Sequence, residues 1–120
     1  MKERTVAALR ELPTRGVYAF LANEDICRKF YAQAENEGYR FGETKPTDMP
    51  VWDIVAIEKE HRLLCAGFVG HMAFVNPNQY VGGLSRVDYA KYIAGDEEYL
   101  MPAQEANKTR QQIPLRILIC

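Results

Sequence analysis

The clearest pattern along the chain is a helical one. Between Asn23 and Gly38 the side chains Ile26, Cys27, Phe30, Tyr31 and Ala34 share one face, while Arg28, Lys29, Glu35 and Asn36 lie mostly on the other. Asn23 can cap the orphan N–H groups of the first turn, and Glu24 and Asp25 place negative charge at the positive end of the helix dipole. Gly38 can take the left-handed position past the last turn. A helix over 24–37 follows.

Around it the period shortens. "GVYAFLA", residues 16–22, is dense in aromatic and aliphatic side chains and predicts a buried strand. Upstream, Val6, Leu9 and Leu12 recur at every third position, a short helix ending near Pro13. "YRFG", 39–42, predicts a second short strand, and "ETKPTDMP", 43–50, an exposed loop. "VWDIVAIEK", 51–59, predicts a third strand, joined through the polar turn Glu60-His61-Arg62 to the apolar run that follows.

That run, Leu63 to Val75, is the most apolar stretch in the chain. It is too short for a membrane helix, which needs roughly twenty apolar residues. Both of its alternating faces are apolar, so it is expected to be a central strand, bent or bulged at Gly67 or Gly70. Further on, Ser85 with Asp88 three residues later resembles a capping box. Val87, Ala90, Ile93 and Ala94 continue at helical spacing to Gly95. Residues 96–112 are polar and predict an exposed helix or loop, and "IPLRILIC" at the C-terminus predicts an edge strand. The order β-α-β-β-β-α-(α)-β predicts an α+β fold: a small, mostly antiparallel sheet with helices packed on one face.

Composition changes this picture little. At 120 residues, residues 1–120 form a single domain of common size, and 48% hydrophobic content is enough to fill one core. The net charge of −1 shows no basic stripe, so charge does not indicate a nucleic-acid partner. The three cysteines are odd in number and widely spaced, and the N-terminus lacks a secretory h-region; a reducing cytoplasm is the expected location, with no membrane association.

Candidate chemistry is sparse. Cys65 or Cys27 could pair with His71 as nucleophile and base, oriented by Asp53, since such a site needs only spatial proximity. The competing account is a core histidine with one hydrogen-bond partner, and it is favoured because Cys27 lies on an apolar helical face. His61, Cys65 and His71 lack paired-ligand spacing, so no metal is expected. "VGGLS", 81–85, lacks both the phosphate-loop lysine and the dinucleotide fingerprint, so no cofactor is expected. His71 and Asp53 are retained as polar residues of possible function; no catalytic residue is assigned.

Seven tyrosines exceed what a core of this size requires. Tyr80, Tyr89, Tyr92 and Tyr99 cluster in the last third, and Tyr89 and Tyr92 are three apart on one helical face. They are either a partner-binding surface or rings covering the sheet within the monomer.

"GVYAFLANEDICRKFYAQAENEGYRFGETKPT" and "AGFVGHMAFVNP" together resemble small proteins carried by mobile elements and phages of gut Firmicutes, over about residues 15–95. The resemblance implies no catalytic residues. It implies a context in which small accessory proteins inhibit host defence, anti-CRISPR proteins among them, many of them by binding alone. The expected function is therefore non-enzymatic protein binding. A small Cys/His-dependent enzyme and a single-stranded nucleic-acid-binding module are the alternatives. A homodimer through the C-terminal strand is compatible with its exposed edge.

Overall fold

A computed structural model describes residues 4–67, 71, 72, 74 and 83–101. The elements are α1 (Val6–Arg10), β1 (Gly16–Phe20), α2 (Glu24–Asn36), a 3-10 turn (Pro46–Asp48), β2 (Ile54–Glu58), β3 (Arg62–Cys65), β4 (Leu84–Asp88) and α3 (Tyr89–Ile93). The strands form one sheet in the order β3-β2-β1-β4. β1 pairs antiparallel with β2, and β2 antiparallel with β3, whereas β1 and β4 run parallel. The fold is α+β, and its sheet is mixed, with an antiparallel majority.

α2 forms where its pattern places it. The Asn23 side chain accepts from the Ile26 N–H at 2.9 Å, and Cys27, Phe30, Tyr31 and Ala34 are buried. At the other end Gly38 takes φ +91°, which lets Tyr39 N–H reach the Ala34 carbonyl and Gly38 N–H the Glu35 carbonyl. α1 is short and is held by a long-range contact. Both oxygens of the Glu37 carboxylate accept from its first N–H groups, Val6 and Ala7, at 2.9 Å. A carboxylate here satisfies two orphan donors and complements the dipole.

The alternating strands divide the interior in two. Val17 and Ala19 of β1, Val55 and Ile57 of β2, Leu63 of β3 and Val87 of β4 face the helices, against Leu9, Phe30, Tyr31 and Tyr89. On the opposite face Ile54, Ala66, Phe74 and Met101 form a smaller cluster with Tyr18 and Phe20.

Three expectations are corrected. "YRFG" is not a strand. Arg40 makes a single bridge to Arg62 along the outer edge of β3, with Arg40 N–H on the His61 carbonyl and Leu63 N–H on the Arg40 carbonyl. Ser85 does not open a helix. Residues 84–88 are β4, the helix starts at Tyr89, and Asp88 is its N-cap, accepting from Lys91 N–H. Pairing of β4 with β1 from Gly16↔Leu84 to Phe20↔Asp88 outweighs the local helical signal.

The apolar run is not one central strand. β3 ends at Cys65 and lies at the sheet edge. Ala66 N–H still bonds to the Ile54 carbonyl, but His71, Met72 and Phe74 have helical backbone, with His71 N–H on the Gly67 carbonyl at 2.9 Å. The ladder thus ends at Ala66, and Phe74, with helical backbone, packs on the second face of the sheet. The predicted C-terminal strand, the loop at 76–78 and most of the segment 96–112 lie outside the described residues.

Candidate functional site

Asp53 and His71 come together. Asp53 sits one residue before β2, and its carbonyl accepts from Leu21 N–H at 2.7 Å, which locks it to the end of β1. Its carboxyl oxygens lie 2.9 and 3.1 Å from His71 Nε2. His71 Nδ1 lies 2.8 Å from the Gly67 carbonyl. His71 is 0% exposed and Asp53 7%.

Elementary acid–base chemistry fixes the protons of this pair. A carbonyl oxygen only accepts, so Nδ1 carries a hydrogen. Nε2 then either donates to an ionised Asp53 or accepts from a protonated one. Both arrangements hold the same protons and leave the pair neutral overall. This matters because an isolated buried charge is costly.

The same geometry argues against a catalytic histidine. A base oriented by a carboxylate must present its second nitrogen to a nucleophile; here that nitrogen is committed to Gly67, in a ring closed to solvent. The pair is instead a clamp that joins Asp53, just before β2, to His71, whose other ring nitrogen is held by Gly67. Two further ties lie close by in the chain: Trp52 Nε1–H donates to the Ala66 carbonyl at 3.0 Å, and Arg86 Nε–H donates to the Phe74 carbonyl. Arg86 is buried on β4, and burial lowers its pKa from the usual arginine value. No local pattern in the sequence marks Arg86 for burial.

The cysteines are not brought forward as nucleophiles. Cys27 is 0% exposed and its Sγ accepts from Trp52 N–H at 3.5 Å; Cys65 is half-buried. Among the described residues no three His, Cys, Asp or Glu side chains gather around a common point suited to a metal ion. No described helix is long and apolar enough to cross a membrane.

The tyrosine cluster divides. Tyr89 and Tyr92 are 1% and 4% exposed, so both rings are packed in the core. Tyr89 stacks edge-on against Phe30 with centroids 5.0 Å apart and donates to Gln33 Oε1. Tyr92 donates to the Thr5 carbonyl at 2.7 Å. Tyr80 lies outside the described residues. Tyr99 alone of the four is described and half-buried, against Tyr92 at 4.9 Å.

Burial raises the pKa values of Tyr31 and Tyr89, and pushes Tyr92 up to about 12 with a further contribution from Tyr99. A phenol whose folded pKa is raised stabilises the fold fully below its ordinary value of 10.0 and loses that contribution as pH rises through the folded value. Stability is therefore expected to fall between pH 10 and about 12. Absorbance at 295 nm should show these phenols ionising together with unfolding. Smooth ionisation of every tyrosine near pH 10, with the fold intact by circular dichroism, would refute this.

Around Tyr99 the surface is concave. A groove of about 1170 Å³ runs between α1 and the C-terminal side of α3, lined by Arg4, Leu12, Tyr92, Ile93 and Tyr99, with Glu11 and Glu97 also contributing. The Arg4 guanidinium lies 5.2 Å from the ring centres of both Tyr92 and Tyr99. It donates to the carbonyls of Tyr92 at 3.1 Å and Asp96 at 2.9 Å, closing the C-terminal end of α3, where a cation is favoured. Arg4 also meets Glu97 at 3.4 Å. Ile93 is 36% exposed beside it.

No protein-family model, curated protein or solved structure matches the chain.

Proposed function

We propose that this chain is a non-enzymatic, protein-binding accessory protein of a mobile element, an inhibitor of a bacterial defence system of the anti-CRISPR kind. Its contact surface is the groove between α1 and the segment after α3. The observation that carries the binding reading is the arrangement of Tyr99, Ile93 and Leu12 around an Arg4 already fixed by the α3 carbonyls. Rigid aromatic and aliphatic groups beside a pre-ordered guanidinium lose little entropy when covered. The mobile-element setting is supported by the resemblance of residues 15–95.

The groove suits one kind of occupant. The Arg4 charge is spent on carbonyls and on Glu97, and Glu11 adds a further exposed carboxylate. The complementary partner segment presents an apolar side chain flanked by lysine or arginine.

A plasmid-protection assay against nuclease-based defence systems tests this. The chain should preserve plasmid uptake, and Ile93→Asp and Tyr99→Ala should each reduce protection by about tenfold, equivalent to about 1.4 kcal/mol of partner affinity. Arg28→Gln, on the exposed face of α2, should not. Absence of protection against several such systems, or full protection by both groove variants, would overturn the proposal.

A further inference from the structure

A second concavity lies at the other end of the sheet. β1 begins at Gly16 and β2 runs to Glu58, but their ladder stops at Tyr18↔Ala56. Gly16 stays with β4 through Gly16↔Leu84, and Glu58 stays with β3 through Glu58↔Arg62. The two central strands therefore part like a fork. The opening has a volume of about 540 Å³. Arg10 from the last turn of α1, Arg15, Lys59 and Arg62 line it, together with Glu58 and Glu60.

Three features of this fork bear on what it holds. Four cations face two carboxylates, a local surplus of two positive charges in a chain whose net charge is −1. Glu60 engages Arg62 only at 3.9 Å, with both side chains mostly exposed. Arg10 is half-buried, so its guanidinium is already partly stripped of water where it lines the fork. Guanidinium groups match tetrahedral oxyanions through paired N–H bonds. A phosphate monoester carries about −1.5 to −2 charges near neutral pH, which balances the surplus. The volume falls in the range of small-molecule sites, roughly 300–1,000 Å³.

We propose that the fork between β1 and β2 binds the phosphate group of a small phosphate monoester of about nucleotide size. The site stands apart from the groove at α3 and does not depend on it. Arg10 supplies a half-buried guanidinium, Arg15 and Arg62 close over the oxyanion from the rim, and Lys59 adds charge at the mouth. Glu58 and Glu60 limit the surplus, which disfavours longer polyanions.

Titration of the full chain with adenosine monophosphate, inorganic phosphate and adenosine tests this by proton–nitrogen NMR at low ionic strength. Adenosine monophosphate should shift the Arg10 Nε–Hε resonance saturably, and adenosine should not. Inorganic phosphate moving the same resonance would also support the oxyanion site; equal affinity for the two would assign all the binding to the phosphate group. Arg10→Gln should weaken binding at least tenfold. Arg15→Gln, at an exposed position, should weaken it several-fold with an undisturbed amide spectrum, which guards against misfolding of the Arg10 variant. Arg28→Gln should leave it unchanged. The proposal fails if no saturable shift occurs, if adenosine shifts the same resonance equally, or if Arg28→Gln weakens binding as much as Arg15→Gln.

Discussion

Asp53→Ala is expected to destabilise the fold by about 3 kcal/mol, the lower end of what breaking a buried ion pair costs, while Asp53→Asn costs much less. The difference follows from the protons. With Asp53 removed, His71 Nε2 loses the carboxyl group that pairs it inside the core. Losing a buried hydrogen-bond partner costs about 1–3 kcal/mol, and the missing carboxyl group leaves a void besides. Asparagine keeps the volume and offers an amide N–H to Nε2, with Nδ1–H still on Gly67. Urea unfolding of the three proteins at pH 7 checks it. Equal loss in the alanine and asparagine variants would show that the pair's protons do not matter to the fold. If His71 were a general base, both variants would abolish an activity; as a clamp, they grade with stability.

The clamp also shows where sequence patterns stop being informative. α2 could be placed to within a residue because every signal for it is local: Asn23 at one end, Gly38 at the other, and one apolar face between them. The run from Leu63 to Val75 has no such signal, because a strand piece and a helical piece buried on different partners are both apolar throughout. Only the pairing of Ala66 with Ile54 and of His71 with Asp53 reveals the change of direction. β4 was masked in another way. Leu84 to Asp88 does not alternate between apolar and polar residues, and Arg86, on the second face of the sheet, is buried with its Nε–H on the Phe74 carbonyl. The Ser85–Asp88 spacing over the same residues carries a helical signal.

Candidate sites were legible to the same degree. Asp53 and His71 stood out as polar residues among apolar neighbours, but their role depends on which atoms the ring nitrogens meet. The tyrosine surplus does not separate core from surface: Tyr89 and Tyr92 are buried, Tyr92 also borders the groove, and Tyr99 with Arg4 forms part of its wall. The fork left no trace in the sequence, because Arg10, Arg15, Lys59 and Arg62 come from two distant segments. A net charge near zero averages over such a patch.

Phe30→Ala is expected to cost about 3–5 kcal/mol, the usual range for deleting a fully buried phenylalanine side chain. Phe30 is 0% exposed at the centre of the helix-side core. Its ring meets Tyr89 edge-on at 5.0 Å and 85°, and Tyr31 at 6.3 Å. It therefore joins α2 to the first residue of α3, and α3 carries Tyr92 and Ile93 to the groove. Truncation removes that support, and Tyr89, also tied to Gln33, cannot fill the space without giving up its hydrogen bond. Phe30→Leu, which keeps most of the volume, should cost roughly half as much or less. Guanidinium unfolding gives the magnitudes, and a loss below about 1 kcal/mol for the alanine variant would mean that the core collapses around the gap. Ile93→Asp alters the last residue of the same helix, where its charge opposes the dipole, and should cost about 1 kcal/mol, well below Phe30→Ala. Loss of protection in Ile93→Asp while the protein stays folded then reports on the groove surface, whereas loss in Phe30→Ala reports on the scaffold beneath it.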